Sequence, residues 1–295
     1  MTPDILDTLV QHNALPDRDG FTAAPLPGGF WNDVFRVRGA GVDWVVKRFR
    51  TQPSQTLFPI LPESEAAALR LLNGHGIAPS PVAFLEPEAG PPMLVYHFEP
   101  GQAWQGEAAE IAPLLKKLHT LPLPATHPFR ELPVEPAGLL AQGDRLLASL
   151  APEKSVSIVL ASRPSIMRGP VLKRRALVHT DVWPGNLLET PGGPRLIDWQ
   201  CPGLGDPAED VWTMLYSGFE LLIGQPPLAA GERARFLERY GDPALEARLA
   251  WLHPSFAYRL AAYCCLRQQA LAGIDAVTSQ RYGRILAQQH AVLAR

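Results

Sequence analysis

The stretch His179-Thr-Asp181-Val-Trp-Pro-Gly-Asn186, followed by Leu196-Ile-Asp198-Trp, constrains this 295-residue chain more than any other. Between Asn186 and Asp198 lie Leu187-Leu188-Glu189, a Thr190-Pro-Gly-Gly-Pro194 turn and Arg195-Leu196-Ile197, a pattern of two short strands about a tight reversal. Gly192 is the midpoint of that pair. A hairpin symmetric about it makes Asn186 and Asp198 cross-strand neighbours with Cβ atoms about 4.5–5.5 Å apart, close enough to share one ion. An amide oxygen and a carboxylate, completed by phosphate oxygens and water, suit Mg²⁺, which takes oxygen ligands at roughly 2.0–2.1 Å. The Pro184-Gly185 turn brings a second carboxylate, Asp181, close to the same place. Phosphoryl transfer asks side chains for little more: a residue that orients the attacking hydroxyl, and oxygen ligands that hold the ion against a nucleotide.

Asp and Asn also favour turns and caps for local hydrogen-bonding reasons, so each of these short motifs taken alone is compatible with a structural role. Their order along the chain makes that reading hard to sustain for all of them. Together they resemble the catalytic and metal-binding motifs of the aminoglycoside phosphotransferase and choline kinase superfamily, small-molecule relatives of protein kinases. The resemblance implies that Asp181 is the catalytic base or hydroxyl-orienting aspartate, that Asn186 and Asp198 are the Mg²⁺ ligands, and that His179 is a buried support. Gly205-Asp206-Pro-Ala-Glu-Asp210 is similar to the family's closing segment, in which Asp206 and Asp210 brace the catalytic loop. Thr180 stands where relatives often have glycine, and Trp183 crowds the same loop.

The first third of the chain reads as the partner half. Phe21 to Leu26 is strand-like, Pro27-Gly28-Gly29-Phe-Trp-Asn32-Asp33 is a glycine-bearing loop, and Val34 to Val37 resumes extended structure before Gly39-Ala-Gly41. A third strand, Val42 to Phe49, carries Lys47. Glycines let backbone amides approach phosphate oxygens, and an ammonium on the next strand can reach the same phosphates. Gly-Gly pairs also mark ordinary hairpins, and the full glycine-rich fingerprint is missing; the resemblance is what assigns Gly28, Gly29 and Asn32 to the nucleotide. Strand alternation sets Lys47 on one face with Val45 and Phe49, where a lysine needs an anionic partner. The following helix offers Glu63 and Glu65; Glu65 shares an apolar stripe with Leu69 and Leu72, whereas Glu63 aligns with Arg70. By resemblance, Lys47 and Glu65 form the ion pair that positions the lysine over nucleotide phosphates. Extended structure returns at Pro79 to Phe84 and at Met93 to Phe98, and Pro100-Gly101 ends it. This sets Tyr96, His97 and Phe98 where relatives have the hinge whose backbone pairs with the base.

Beyond the hinge the pattern is helical. Ile111, Leu114, Leu115 and Leu118 form one stripe, Leu139 to Leu150 another segment, and Ala208 to Leu222 and most of Ala244 to Arg295 further helices. Residues 151–175 read as an insertion whose Lys173-Arg174-Arg175 triplet is either a solvated turn or a phosphate-steering patch. Trp212, Tyr216 and Phe219 recur at helical offsets, which favours core packing; at the edge of that core Trp183, Trp212 and Tyr216 are candidate acceptor contacts, with Glu209 and Glu220 available to a cationic acceptor. The expected architecture is α+β and two-lobed, protein-kinase-like: an N-lobe of residues 1–98, antiparallel sheet plus helix, and a mainly helical C-lobe of residues 99–295.

A net charge of -2 offers no general attraction to nucleic acid or to an acidic membrane surface. The sequence has no apolar stretch of bilayer length and no basic-then-apolar leader, so cytosol is the expected location. Cys201, Cys264 and Cys265 do not form a disulfide framework, and His75, His97, His119 and His127 lack metal-ligand spacing. The expected activity is ATP- or GTP-dependent, Mg²⁺-assisted phosphorylation of a small molecule's hydroxyl group, aminoglycoside-phosphotransferase-like. A choline/ethanolamine- or thiamine-type kinase, and a noncatalytic nucleotide-binding module, are the alternatives. A protein kinase needs a long segment after its metal aspartate, and here only Trp199 to Gly205 separates Asp198 from Asp206. The sequence leaves the acceptor and the oligomeric state open.

Overall fold

Alternating β-branched and aromatic residues on either side of Ala40-Gly41 dictate a hairpin, and both turn residues adopt the positive φ that a tight reversal between twisted strands requires. In the computed structural model, which describes residues 4–27, 31–50, 56–88 and 90–294, that hairpin is the centre of a five-stranded sheet. Its strands are β1 (Thr22–Pro25), β2 (Asp33–Gly39), β3 (Val42–Arg48), β4 (Pro81–Leu85) and β5 (Met93–His97), in the order β1-β2-β3-β5-β4 with every pair antiparallel. Gly39 is required by close approach, because a Cβ there would lie 2.1 Å from the Gly20 carbonyl oxygen.

Each face of the sheet is covered. Helix α1 (Ile5–Gln11) buries Ile5, Leu6 and Leu9 against Val37, Val46 and Val95, while α2 (Pro62–Leu72) lays Ala68, Leu69 and Leu72 in the cluster that holds Phe49 and Leu94. Glu65 lies on the buried side of α2, and Glu63 and Arg70 are exposed, the division that helical spacing predicts.

The remainder is mainly helical: α3 (Ala112–Thr120), α4 (Pro136–Ala148), α5 (Lys154–Ala161), α6 (Ala208–Tyr216), α7 (Ala230–Tyr240), α8 (Pro243–Leu271) and α9 (Ala276–Leu293). Helix α8, buried along Phe256 to Cys265, is the spine against which α4, α6 and α9 pack. Short strands carry the loops between the halves: β6 (Gln102–Ala103), β7 (Arg130–Glu131), β8 (Ala176–Val178), β9 (Leu187–Thr190), β10 (Gly193–Leu196) and β11 (Gly203–Gly205). They form two three-stranded sheets, β10-β9-β6 and β7-β11-β8. The architecture is the α+β arrangement expected from the sequence. Among the described residues no helix is long and apolar enough to cross a membrane.

One expectation changes. The helix predicted over Ala208 to Leu222 stops at Tyr216; Gly218 takes φ +77°, with a glutamine side chain so close that a Cβ could not fit, and a short 3₁₀ turn covers Phe219–Ile223. In the 151–175 segment only α5 is regular. The basic triplet there is a turn with Lys173 and Arg174 exposed, and its two arginines also tie neighbouring backbone together. Arg174 donates to the His119 carbonyl at 3.2 Å, and Arg175 to those of Leu132 and Leu204 at 2.6 and 3.0 Å.

Candidate active site between the sheet and the helices

Strand β8 delivers His179 into a loop that its own sequence could not hold unaided. Thr180 has φ +72°, a left-handed conformation that costs a β-branched residue on the order of 1–3 kcal/mol. Asp210, fully buried in the first turn of α6, imposes it: its carboxylate accepts from the backbone N–H of Thr180 at 2.7 Å and of His179 at 2.9 Å. His119 Nε2 steadies the same carboxylate at 3.0 Å, and Tyr240 reaches His119 Nδ1 at 2.8 Å. The Thr180 hydroxyl donates to the Cys201 carbonyl at 3.0 Å.

His179 works as a strut. Its Nδ1 accepts the Asp181 N–H at 3.3 Å, so the proton sits on Nε2, which donates to the Ile197 carbonyl at 3.0 Å. Burial lowers its pKa and keeps the ring neutral. One imidazole thereby ties the backbone of Asp181 to the residue before Asp198.

Asp181 receives Asn186 Nδ2 on its carboxylate and on its carbonyl oxygen, each at 2.9 Å. Burial, and after it the neighbouring Asp198 carboxylate, pushes the Asp181 pKa up to about 7 against the opposing hydrogen bonds of Asn186 and Trp183. Asn186 spends its nitrogen on Asp181, which leaves Oδ1 as its metal-competent atom. Asp198 Oδ1 accepts from Lys47 Nζ at 2.6 Å, and the same ammonium contacts both Glu65 oxygens at 2.8 Å. Burial alone would depress the Lys47 pKa; Asp198 and Glu65 reverse this and hold it well above the ordinary lysine value.

The hairpin linking the two presumed ligands has a different register from the symmetric one. Leu187 pairs with Leu196 and Thr190 with Gly193, so Pro191-Gly192 form a two-residue turn, and Asn186 faces Ile197, whose N–H it accepts at 3.0 Å. Continued as a strand, this register would turn Asp198 away from Asn186. Asp198 instead adopts φ +61°, which breaks the alternation and swings its carboxylate into the cleft.

Two cavities meet at this point. One, of about 460 Å³, is lined by Val34, Val45, Lys47, Tyr96, Leu188 and Ile197; the other, of about 290 Å³, contains Asp181 and Trp183. Asn186, Asp198, Trp31 and Gly185 belong to both. Asn32 borders the larger cavity, donating to Gln200 Oε1 at 3.3 Å and accepting the Arg50 N–H at 3.4 Å. Gly28 and Gly29 lie outside the described residues.

Several predicted contacts fall elsewhere. The amides of His97 and Phe98 are not free for a base: they donate to Ser80 and Asp43 carbonyls at 2.9 Å each, because β5 is hydrogen-bonded on both edges. The His97 side chain is exposed. Phe98 still lines the larger cavity, with Glu99 and Gly101 just beyond it. Trp212 is core, 2% exposed, with its indole nitrogen on His253 Nδ1 at 2.8 Å and its rings against Phe256. Tyr216 packs on His253 and beneath Arg233, and neither Trp212 nor Tyr216 lines the cavity of Asp181. Glu209 is paired with Arg259. The cavity's other walls were missed from sequence: Phe58, Phe219, Tyr263, Tyr282 and Arg267. Asp206 stands apart from both cavities, accepting from the Ala208 N–H at 2.9 Å and pairing with buried Arg248, so it ties α6 to α8.

The donor set suits a hard divalent cation. One ammonium, Lys47, stands among three carboxylates, Glu65, Asp181 and Asp198, and the ligand atoms facing both cavities are oxygens. Among the described residues no group of three or more His, Cys, Asp or Glu could hold a metal. Mg²⁺ takes few protein ligands and completes its shell with phosphate oxygens and water.

Comparison with known proteins gives a consistent result. The profile of the phosphotransferase enzyme family (APH) matches residues 22–252. Over 241 residues the chain is 32% identical to a probable ketoamine kinase of Thermus thermophilus, covering 75% of this chain and 78% of that protein. A choline kinase of Streptococcus pneumoniae has the same fold, with TM-score 0.61, 18% identity and coverage of 92% of this chain and 94% of that one. So does a spectinomycin phosphotransferase solved with ADP and spectinomycin, with TM-score 0.62, 14% identity and coverage of 97% of each chain. The fold is the two-lobed, protein-kinase-like one.

Proposed function

This chain belongs to the phosphotransferase enzyme family, and on that premise we propose that it transfers the terminal phosphoryl group of ATP or GTP to a hydroxyl of a small molecule. The observation that carries the reading is the common wall of the two cavities. Lys47 borders only the larger, Asp181 only the smaller, and Asn186 and Asp198 border both. A donor in the first and an acceptor in the second would meet at those two residues.

The geometry supports the following roles. Asn186 Oδ1 and the Asp198 carboxylate would hold Mg²⁺, which when bound offsets the charge of the nucleotide's phosphates. Lys47, fixed by Glu65, presents its ammonium to the same phosphates. Asn32 borders the same larger cavity, Gly28 and Gly29 are assigned to the phosphates from the sequence alone, and Tyr96 together with the backbone through Gly101 flanks the base. Asp181 orients the acceptor hydroxyl and receives its proton; burial raises its pKa above the ordinary carboxylate range, which makes it a stronger proton acceptor. His179 and Asp210 hold its backbone in place, and Trp183 donates to its carboxylate. In this reading residues 1–98 and 99–295 act as the two lobes, with the reaction in the cytosol where nucleotide is supplied.

Calorimetric titration with Mg-ATP and Mg-GTP tests the nucleotide half. Wild-type protein is expected to bind at least one of them, and Asp198→Ala to weaken Mg²⁺-dependent binding by at least about tenfold, the scale of a lost charge-assisted ligand. Equal affinity in wild type and Asp198→Ala, with and without Mg²⁺, contradicts the assignment.

A further inference from the structure

Helix α8 carries Arg248, Arg259 and Arg267 on its packed length. The first two are paired with the buried carboxylates of Asp206 and Glu209. Arg267 forms no ion pair among the described residues, and its Nε is buried without a hydrogen-bond partner. Its guanidinium lies 4.6 Å from the ring centre of Trp31 and 5.4 Å from that of Tyr282, in the cavity that holds Asp181. Aromatic faces cradle a cation without neutralising it, so the charge is left facing the space where an acceptor would sit.

The remaining chemistry of this cavity sharpens the point. Asp198 is engaged by Lys47, and Asp181 by Asn186. The wall between them and Arg267 is aromatic: Phe58, Phe219 and Tyr263. Glu209 and Glu220, which a cationic acceptor could have used, do not line it. A cation entering here meets the Arg267 charge, and the two carboxylates that border the cavity, Asp181 and Asp198, are the ones the proposed reaction itself employs. A single carboxylate matches a guanidinium fork in charge and in planar geometry, whereas a phosphate dianion would bring excess charge out of water against one cation.

We propose, resting on the phosphotransferase reading above, that Arg267 binds a carboxylate of the acceptor, so that the substrate is an alcohol bearing a carboxylate, with its hydroxyl at Asp181 and its body against the aromatic wall. The acceptor class thus differs from the choline and spectinomycin named for the structural relatives. A ketoamine formed on an amino acid with a free carboxylate belongs to the proposed class.

The test uses the full-length protein and matched acceptors, a set of hydroxy acids and a set of sugar ketoamines, each prepared as carboxylate, carboxamide and ammonium forms. Phosphorylated product is followed by phosphorus NMR, and Mg-nucleotide affinity is measured separately by calorimetry. Wild type is expected to favour the carboxylate over the carboxamide by at least about tenfold in kcat/KM. That ratio should fall to about one in Arg267→Gln and return in part in Arg267→Lys. If Arg267 only props Trp31, the substitution lowers Tm and depresses all acceptors alike with the ratio intact, which overturns the proposal. Preference for a carboxamide or ammonium form overturns it too, as does phosphorylation of none of them by protein that binds Mg-nucleotide. Failure to bind Mg-nucleotide at all overturns the phosphotransferase reading beneath it.

Discussion

Thr180 shows how single residues are subordinated to the site. It occupies the left-handed region at φ +72° only because Asp210 collects its N–H and that of His179. Thr180→Gly and Thr180→Ala both lose the hydroxyl bond to Cys201, but only glycine sheds the Cβ that the conformation penalises. The glycine variant is expected to be more stable than the alanine variant by about 1 kcal/mol in urea unfolding; an alanine variant at least as stable as the glycine one would remove the strain argument. At this scale much was legible in the sequence. Asp181, Asn186 and Asp198 stood out because their chemistry is local to one hairpin, and Glu65 separated from Glu63 because helical spacing distinguishes faces. Trp212 and Tyr216 were misplaced as acceptor contacts for the complementary reason: periodicity says which residues share a face, and says nothing of what packs there. Arg267 was invisible, since its meaning depends on Trp31 and Asp181, distant in the chain, and on the carboxylate it lacks.

Among the elements, strands and helices followed from alternation and 3.6-residue periodicity, while the breaks between them did not. The hairpin's register was off by one because Pro191-Gly192 close it as a two-residue turn. The helix after Asp206 was drawn too long because nothing local announces that Gly218 must turn against α9. The 3₁₀ turn that follows buries Glu220 at 3% exposure with Oε2 unpartnered, and burial pushes its pKa up to about 7, with Arg233 opposing. The sign follows directly. The folded state holds this proton more tightly than the unfolded chain, so the stabilisation is complete below the unfolded value and is lost as pH rises through about 7. Between pH 5 and 8 the wild type should therefore lose stability relative to Glu220→Gln, on the order of 2–3 kcal/mol. Urea unfolding of both proteins at those two pH values measures it. A difference that does not change with pH would show that Glu220 titrates normally.

The whole molecule is a device for bringing two cavities to one wall. The sheet and α2 supply Lys47 and Glu65; the loops carried by β8, β9 and β10 supply Asp181, Asn186 and Asp198; α8 and α9 close the far side with Tyr263, Arg267 and Tyr282. Its two-lobed plan was legible because strand-type and helix-type patterns occupy separate parts of the chain. The smaller cavity was not, because its walls come from segments that only tertiary packing unites. The central claim is that Asp181 acts on the acceptor hydroxyl across a wall shared with the nucleotide. The direct measurement is the phosphorylation rate of a small-molecule alcohol by Asp181→Asn at saturating Mg-nucleotide, with nucleotide affinity measured on the same preparation. The account predicts a rate lower by about 10²–10⁴-fold with Mg-nucleotide affinity retained. A near-wild-type rate, or a loss explained entirely by weakened nucleotide binding, would contradict it.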